Sequence, residues 1–223
     1  MDPLNPSRDR GLSTFNAKHN FIVTTTYPFP FRFQRKAAQL ALGGWTINGI
    51  GTFRSGQPFT VRTGFNRARN GDTQSPDRPN LRPGFSNSPA SGTSAGCTNS
   101  DGSVAVAPGT KLGTPNLFFD PCAFSLEDPG TYGNLGRDTV IGPKLINVDL
   151  SLEKSFKPRE SVSVQFRAES FNTLNHPSFG LPANSVFTSS SSPSAYKYIG
   201  SAGSITTTTT QGRTIQFGLK VIF

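Results

Sequence analysis

Asp149 and Glu153 in the run Ile146-Asn-Val-Asp-Leu-Ser-Leu-Glu153, and Glu169 in Val162-Ser-Val-Gln-Phe-Arg-Ala-Glu169, fall with Arg167 at positions that two pleated strands would turn to one side. Paired carboxylates can do glycoside hydrolysis, one protonating the leaving oxygen while the other acts as base or nucleophile. The spacing here is instead that of solvated wall residues interleaved with an arginine. Across neighbouring strands the pairing it predicts is Asp149 with Arg167. His19 and His176 are too few and too separate in sequence to suggest a metal cluster. Ser55-Gly-Gln-Pro58 lacks the Gly-x-Ser-x-Gly elbow of an activated serine and reads as a turn. We therefore expect no catalytic residue, no metal and no cofactor, and do not expect an enzyme.

Two further chemistries bound the partners. Cys97 and Cys122, the only two cysteines, lie within one Gly/Ser/Pro/Asn-rich region. Such a pair favours a disulfide formed in an oxidising compartment over a two-ligand metal site, with two free thiols as the alternative. The 22 Lys and Arg against 13 Asp and Glu give a net charge of +9, which suits an acidic partner such as nucleic acid or an anionic lipopolysaccharide surface. The cations are scattered and accompany no nucleic-acid-binding motif, so no nucleic-acid partner is expected.

The elements that must carry these residues are strands. Arg213-Thr-Ile-Gln-Phe-Gly-Leu-Lys-Val-Ile-Phe223 alternates apolar Ile215, Phe217, Leu219, Val221 and Phe223 with mainly polar neighbours. Four further segments alternate in the same way, at about 18–29, 44–54, 144–156 and 161–172. Each has about the ten residues that a tilted strand needs to cross a bilayer, where ordinary sandwich strands run to about five or six. A period of two cannot say whether the apolar face looks inward to a sandwich core or outward to lipid. Length and connections favour the membrane: Lys157-Pro-Arg-Glu160 is a tight turn, whereas segments 63–143 and 173–212 are long, polar and turn-rich. With Phe223 at the periplasm, both long segments fall outside the cell and the 30–43 link and the 157–160 turn fall inside. The fold class expected is all-β, an antiparallel up-and-down transmembrane β-barrel fragment of about five meandering strands, located in the cell outer membrane with lipid as a partner. A mean hydropathy of -0.35 does not oppose this, because alternating strands do not raise a window average. Met1 to Arg10 has no apolar core segment and does not read as a secretory signal.

Finer expectations follow. The long segments look too polar and turn-rich to bury a core. The register expected between the third and fourth strands sets Leu152 against Val164, Leu150 against Phe166 and Asp149 against Arg167, because the neighbouring one opposes Asp149 to Glu169. Lys154 then lies on the lipid face near the periplasmic end, its stem snorkelling to the interface. Aromatics mark the strand ends, with Tyr27, Trp45, Phe156 and Phe223 at one boundary and Phe53, Phe59, Phe171 and Phe179 at the other.

Asp9-Arg-Gly11, Lys18-His-Asn-Phe21, Gly43-Gly-Trp45, Ser55-Gly-Gln-Pro-Phe59, Asp77-Arg-Pro-Asn80, Asp120-Pro-Cys-Ala-Phe124 and Gly130-Thr-Tyr-Gly-Asn134 occur in that order. They are followed by Gly136-Arg137, Gly142-Pro143, Asn147-Val-Asp149, Phe166-Arg-Ala-Glu-Ser-Phe-Asn172, Asn175-His-Pro177 and Gln216 to Phe223. Together, over almost the full chain, they resemble the C-terminal part of Oar-like TonB-dependent transporters, common in Acidobacteria. The resemblance implies a barrel of about 22 strands, plugged by an N-terminal domain and driven by the inner-membrane TonB complex. It implies that this chain is a C-terminal fragment of such a receptor, meeting TonB only through the missing N-terminal part. It also implies that the terminal strand, with Phe217, Leu219, Val221 and Phe223, is the signal read by the barrel-assembly machinery. The transported ligand is unknown; oligosaccharides, siderophore-like chelates and protein fragments all suit the family, and Arg67, Arg69, Asp72, Asp77, Arg78 and Tyr132 are the candidate loop contacts. Two alternatives stay open: an outer-membrane structural or adhesive surface protein, and a soluble extracellular carbohydrate-binding β-sandwich.

Overall fold

The computed structural model describes residues 5–72, 77–188 and 195–223. The chain divides into two compact units. A strand unit comprises Lys18–Ser55, Lys144–Ser178 and Thr208–Phe223, and a loop unit comprises Met1–Ala17, Gly56–Pro143 and Phe179–Thr207.

In the strand unit the five alternating runs become β1 (Asn20–Pro28), β2 (Trp45–Arg54), β3 (Leu145–Arg159), β4 (Val162–Phe171) and β5 (Thr214–Ile222). They form one antiparallel sheet in chain order, with β1 and β5 at its edges. The registers align the mainly apolar rows: Phe21 faces Phe53, Ile47 faces Leu152, and Ala168 lies between Leu152 and Phe217. One face is therefore mainly apolar across five strands. The other carries Thr24, Asn48, Ser151, Glu153, Arg167 and Gln216. Both shorter connections, Pro28 to Trp45 and Arg159 to Val162, lie at one end of the sheet, and both long ones leave from the other.

Lys154 is the charge on the apolar face, opposite Trp45 and Phe166. The snorkelling expected of it is replaced by enclosure. The 30–43 link contains a short helix, α1 (Lys36–Leu42), and the Lys154 ammonium donates to the carbonyls of Ala41 at 2.8 Å and Gly43 at 3.0 Å. It lies 5.0 Å from the centre of the Trp45 ring, whose Nε1 donates to the same Ala41 carbonyl at 3.3 Å. The last carbonyls of a helix have no partner within it, so an ammonium finds ready acceptors there.

The expected register of β3 and β4 is corrected by four residues. Phe156, not Leu152, opposes Val164; Lys154 opposes Phe166; Glu153 opposes Arg167. β3 runs on to Arg159, so the turn is Glu160-Ser161 and not Lys157 to Glu160, and a bulge follows at Val162–Val164. An even-numbered slide leaves every side chain on its own face, so alternation does not detect it; the turn length sets the register. Asp149 and Arg167 are consequently not a pair. Arg167 Nε meets Glu153 Oε1 at 3.0 Å, while Asp149 opposes Ile50 of β2. Asp149 accepts from the Asn172 amide at 2.8 Å and from Asn147 Nδ2 at 2.9 Å, holding the turn that follows β4.

A second correction concerns the long segments, which do bury a core. Phe59, Val61, Phe119, Phe124, Val140 and Phe187 are buried together, with the Phe119 and Phe124 rings 6.0 Å apart and Phe187 4.8 Å from Tyr198. Phe59, expected at a strand-end girdle, belongs to this core. Four short antiparallel pairs frame it: Pro58–Phe59 with Val140–Ile141, Asn80–Leu81 with Phe124–Ser125, Cys97–Thr98 with Val104–Val106, and Phe187–Thr188 with Lys197–Tyr198. Cys97 and Cys122 are joined by a disulfide, and Asp120 caps the turn leading to Cys122, accepting from its amide at 3.0 Å. A bridge closing a loop of this span stabilises by about 3 kcal/mol in the chain-entropy view.

The register is open to a direct test. Cysteines placed at Glu153 and Arg167 are expected to cross-link on oxidation, detected by peptide mass spectrometry, whereas cysteines at Asp149 and Arg167 are not. Efficient cross-linking of the second pair alone would restore the shorter hairpin.

Candidate functional site

Strand alternation places one set of polar side chains and loop packing places another. On the polar face, Glu153, Gln165, Arg167, Glu169 and Lys220 line an open cavity of about 510 Å³. Arg167 reaches Glu153 at 3.0 Å within the ladder and Glu169 at 3.4 Å along its own strand. These groups are partly hydrated, so the pairs add little stability and remain available to a polar ligand or a packed partner surface.

The loop unit is built by its short motifs, which lock together in pairs. Arg78 is buried, donating from Nη1 to Asp9 at 2.7 Å and from Nη2 to the Arg8 carbonyl at 3.0 Å. Asn80 and Asn134 exchange roles: the Asn134 amide donates to Asn80 Oδ1 at 2.8 Å, and the Leu81 amide donates to Asn134 Oδ1 at 2.7 Å. Gly133 allows this approach, because a Cβ there would collide with the Arg78 carbonyl. Likewise a Cβ on Gly56 would strike the Gly142 carbonyl, and the Gly142 amide donates to Gln57 at 2.8 Å. Buried Asp138 closes a further pair, accepting from Thr60 Oγ1 at 2.6 Å. In the strand unit, Asn172 donates to the carbonyls of His176 and Gln211, and Asn175 accepts from the Arg213 amide at 3.1 Å, which fixes the entry into β5.

The six expected ligand contacts divide. Asp77 and Arg78 are buried scaffold, and this corrects their assignment: Asp77 Oδ2 accepts from the Ala68 amide at 2.6 Å and its carbonyl accepts from Thr63 at 2.7 Å. Arg67, Arg69, Asp72 and Tyr132 are brought to one region. Arg67 Nε donates to the Glu127 carbonyl at 2.8 Å, and the Arg67 carbonyl accepts from the Gly130 amide at 3.0 Å. Asn70 Nδ2 reaches the Tyr132 hydroxyl at 3.4 Å, and its Oδ1 accepts from the Asp72 amide at 2.9 Å. Arg69, exposed between them, adopts a left-handed φ of 57°, which turns the chain at this tip.

Residues 1–216 match the family model described as outer membrane beta barrel domain. The chain belongs to this family. Comparison with curated proteins and with solved structures returned no match. Membership places the chain in the cell outer membrane, and decides what periodicity alone left open: the apolar face of the sheet meets lipid and the polar face looks inward. In such barrels short turns face the periplasm and long loops the exterior.

Glu127, beneath the Arg67–Tyr132 region, carries no signal in the sequence, where nothing distinguishes it from a surface carboxylate. It is only 1% exposed and neither carboxylate oxygen has a hydrogen-bond partner among the described residues. Burial, reinforced by nearby Asp77 and opposed by Arg67, pushes its pKa from 4.5 to about 7. The folded pKa thus exceeds the unfolded one. The stabilising effect is complete below about 4.5, declines as the unfolded carboxyl ionises, and is lost once pH passes about 7. Glu127→Gln is expected to flatten this decline, read as the proteolytic resistance of the loop unit between about pH 4.5 and 7. A variant as pH-dependent as the parent would show that another group carries the effect.

Proposed function

We propose that this outer-membrane β-barrel chain is part of an Oar-like TonB-dependent receptor, supplying barrel wall and outer loops for energy-coupled uptake. The observation carrying this reading is that the motifs resembling that family are the ones that interlock. Asp9 meets Arg78, Asn80 meets Asn134, and Gly56 abuts Gly142, across long stretches of chain. A set of residues that builds one loop architecture is a more specific likeness than any short motif alone. In this reading the protein is not an enzyme: Arg67, Arg69, Asp72 and Tyr132 contact an incoming ligand, and the work comes from TonB-driven movement of a plug. The partners are lipid, that ligand, and the barrel-assembly machinery acting on the strand that ends in Phe223.

Two experiments test it. Sequencing upstream of the Met1 codon is expected to reveal one continuous reading frame encoding a plug and a TonB-contacting segment. A stop codon with an independent promoter would overturn the transport reading and favour a surface-adhesive role. In cells making the whole gene product, deletion of Phe223 is expected to lower its outer-membrane level severalfold; an unchanged level would remove the terminal ring from the assembly signal.

A further inference from the structure

The tight-turn end of the sheet carries a groove of about 600 Å³ between α1 and the end of β3, lined by Phe33, Lys36, Leu40, Phe156, Lys157 and others. Its position follows from Lys154. That side chain stands on the lipid-facing side, opposite Phe166, and its ammonium holds the Ala41 and Gly43 carbonyls, so the C-terminal end of α1 is fixed on the outer surface of the sheet. Phe156 lies on the same face, two residues further along β3. The groove therefore has an apolar floor at the rim of the lipid-facing surface. Around it the exposed cations Arg32, Arg35, Lys36, Lys157 and Arg159 outnumber the single carboxylate Glu160. The excess lies in the strand unit. Of the strand unit's residues, 12 are Lys or Arg and 4 are Asp or Glu, whereas the loop unit is nearly balanced.

We propose that this groove binds an anionic phospholipid of the periplasmic leaflet, its acyl chain lying against Leu40 and Phe156 and its headgroup phosphate between Lys36 and Lys157. Charge complementarity selects the occupant. A polypeptide partner would satisfy the cations equally well but not an apolar floor that opens towards hydrocarbon. Phe33 lines the groove and Trp45 opens β2 at this end of the sheet, and aromatic rings favour the headgroup boundary. Anionic lipid gains affinity from each nearby cation, about fivefold for every lysine at the surface.

Trp45 is the only tryptophan in the chain and adjoins the groove through Gly44, so it serves as the reporter. The full chain is placed in mixed phospholipid–detergent micelles, and its fluorescence is quenched with brominated phosphatidylglycerol or brominated phosphatidylcholine. Phosphatidylglycerol is expected to quench with at least about fivefold higher apparent affinity. The preference is expected to fall by more than about fivefold in K36Q/K157Q and to persist in K144Q, which removes an exposed lysine from the opposite end of the sheet. If the double variant does not fold, K36Q and K157Q are compared singly, each expected to reduce the preference by about fivefold. Equal quenching by both lipids in the parent, a preference unchanged in K36Q/K157Q, or an equal loss in K144Q would each overturn the proposal.

Discussion

Hydrocarbon offers no water to an unpaired amide, so the wall of a membrane barrel depends on each strand bonding its neighbour along its length. In this chain that constraint is coupled to a second one: each ladder must join the apolar rows. Pairing Phe21 with Phe53, Ile47 with Leu152 and Ala168 with Phe217 satisfies both together, because a slip by one residue would move a whole row to the wrong side. The chain-order meander is the simplest topology that does so, and it delivers both long connections to one end of the sheet. The polar wall and the departure of both long connections from one end follow from that arrangement.

Lys154 shows how a departure from the pattern is accommodated. A charge on a lipid-facing row is costly unless it finds partners. The carbonyls at the end of α1 and the face of Trp45 supply them, and the same bonds hold a helix that would be too short to persist alone. One side chain thereby fixes the connection between two strands, and the groove beside it is a consequence of where α1 is held.

The loop unit obeys a different logic. Its core is made from aromatic residues far apart in sequence, with Phe59, Phe119, Phe124 and Phe187 buried together although no period relates them. Around that core the polar motifs satisfy buried backbone groups that short, irregular strands leave unpaired. Asp77 and Arg78 have the composition of ligand contacts, yet burial makes them scaffold. Arg67, Arg69 and Asp72 reach the surface along the turn through Arg69, and Tyr132 meets that turn at Asn70. The disulfide between Cys97 and Cys122 joins one of the short strands to the buried Asp120–Phe124 turn, so the polar loops and the aromatic core are one construction.

Alternation and spacing along the chain are enough to give the number of long strands, the side chains that share a face and the end from which the long connections leave. These depend on a period of two and on chain length, both of which are local and additive. Only the tertiary structure decided the register of β3 on β4, because slides by two or four residues preserve every face and the choice lies in a two-residue turn and its bulge. The same holds for the partners of Asp149 and Lys154, the burial of Asp77, Arg78 and Glu127, and the existence of a core in segments that read as polar loops. Each depends on contacts between residues tens of positions apart, where composition carries no phase and the free energy comes from which groups are shut away from water together.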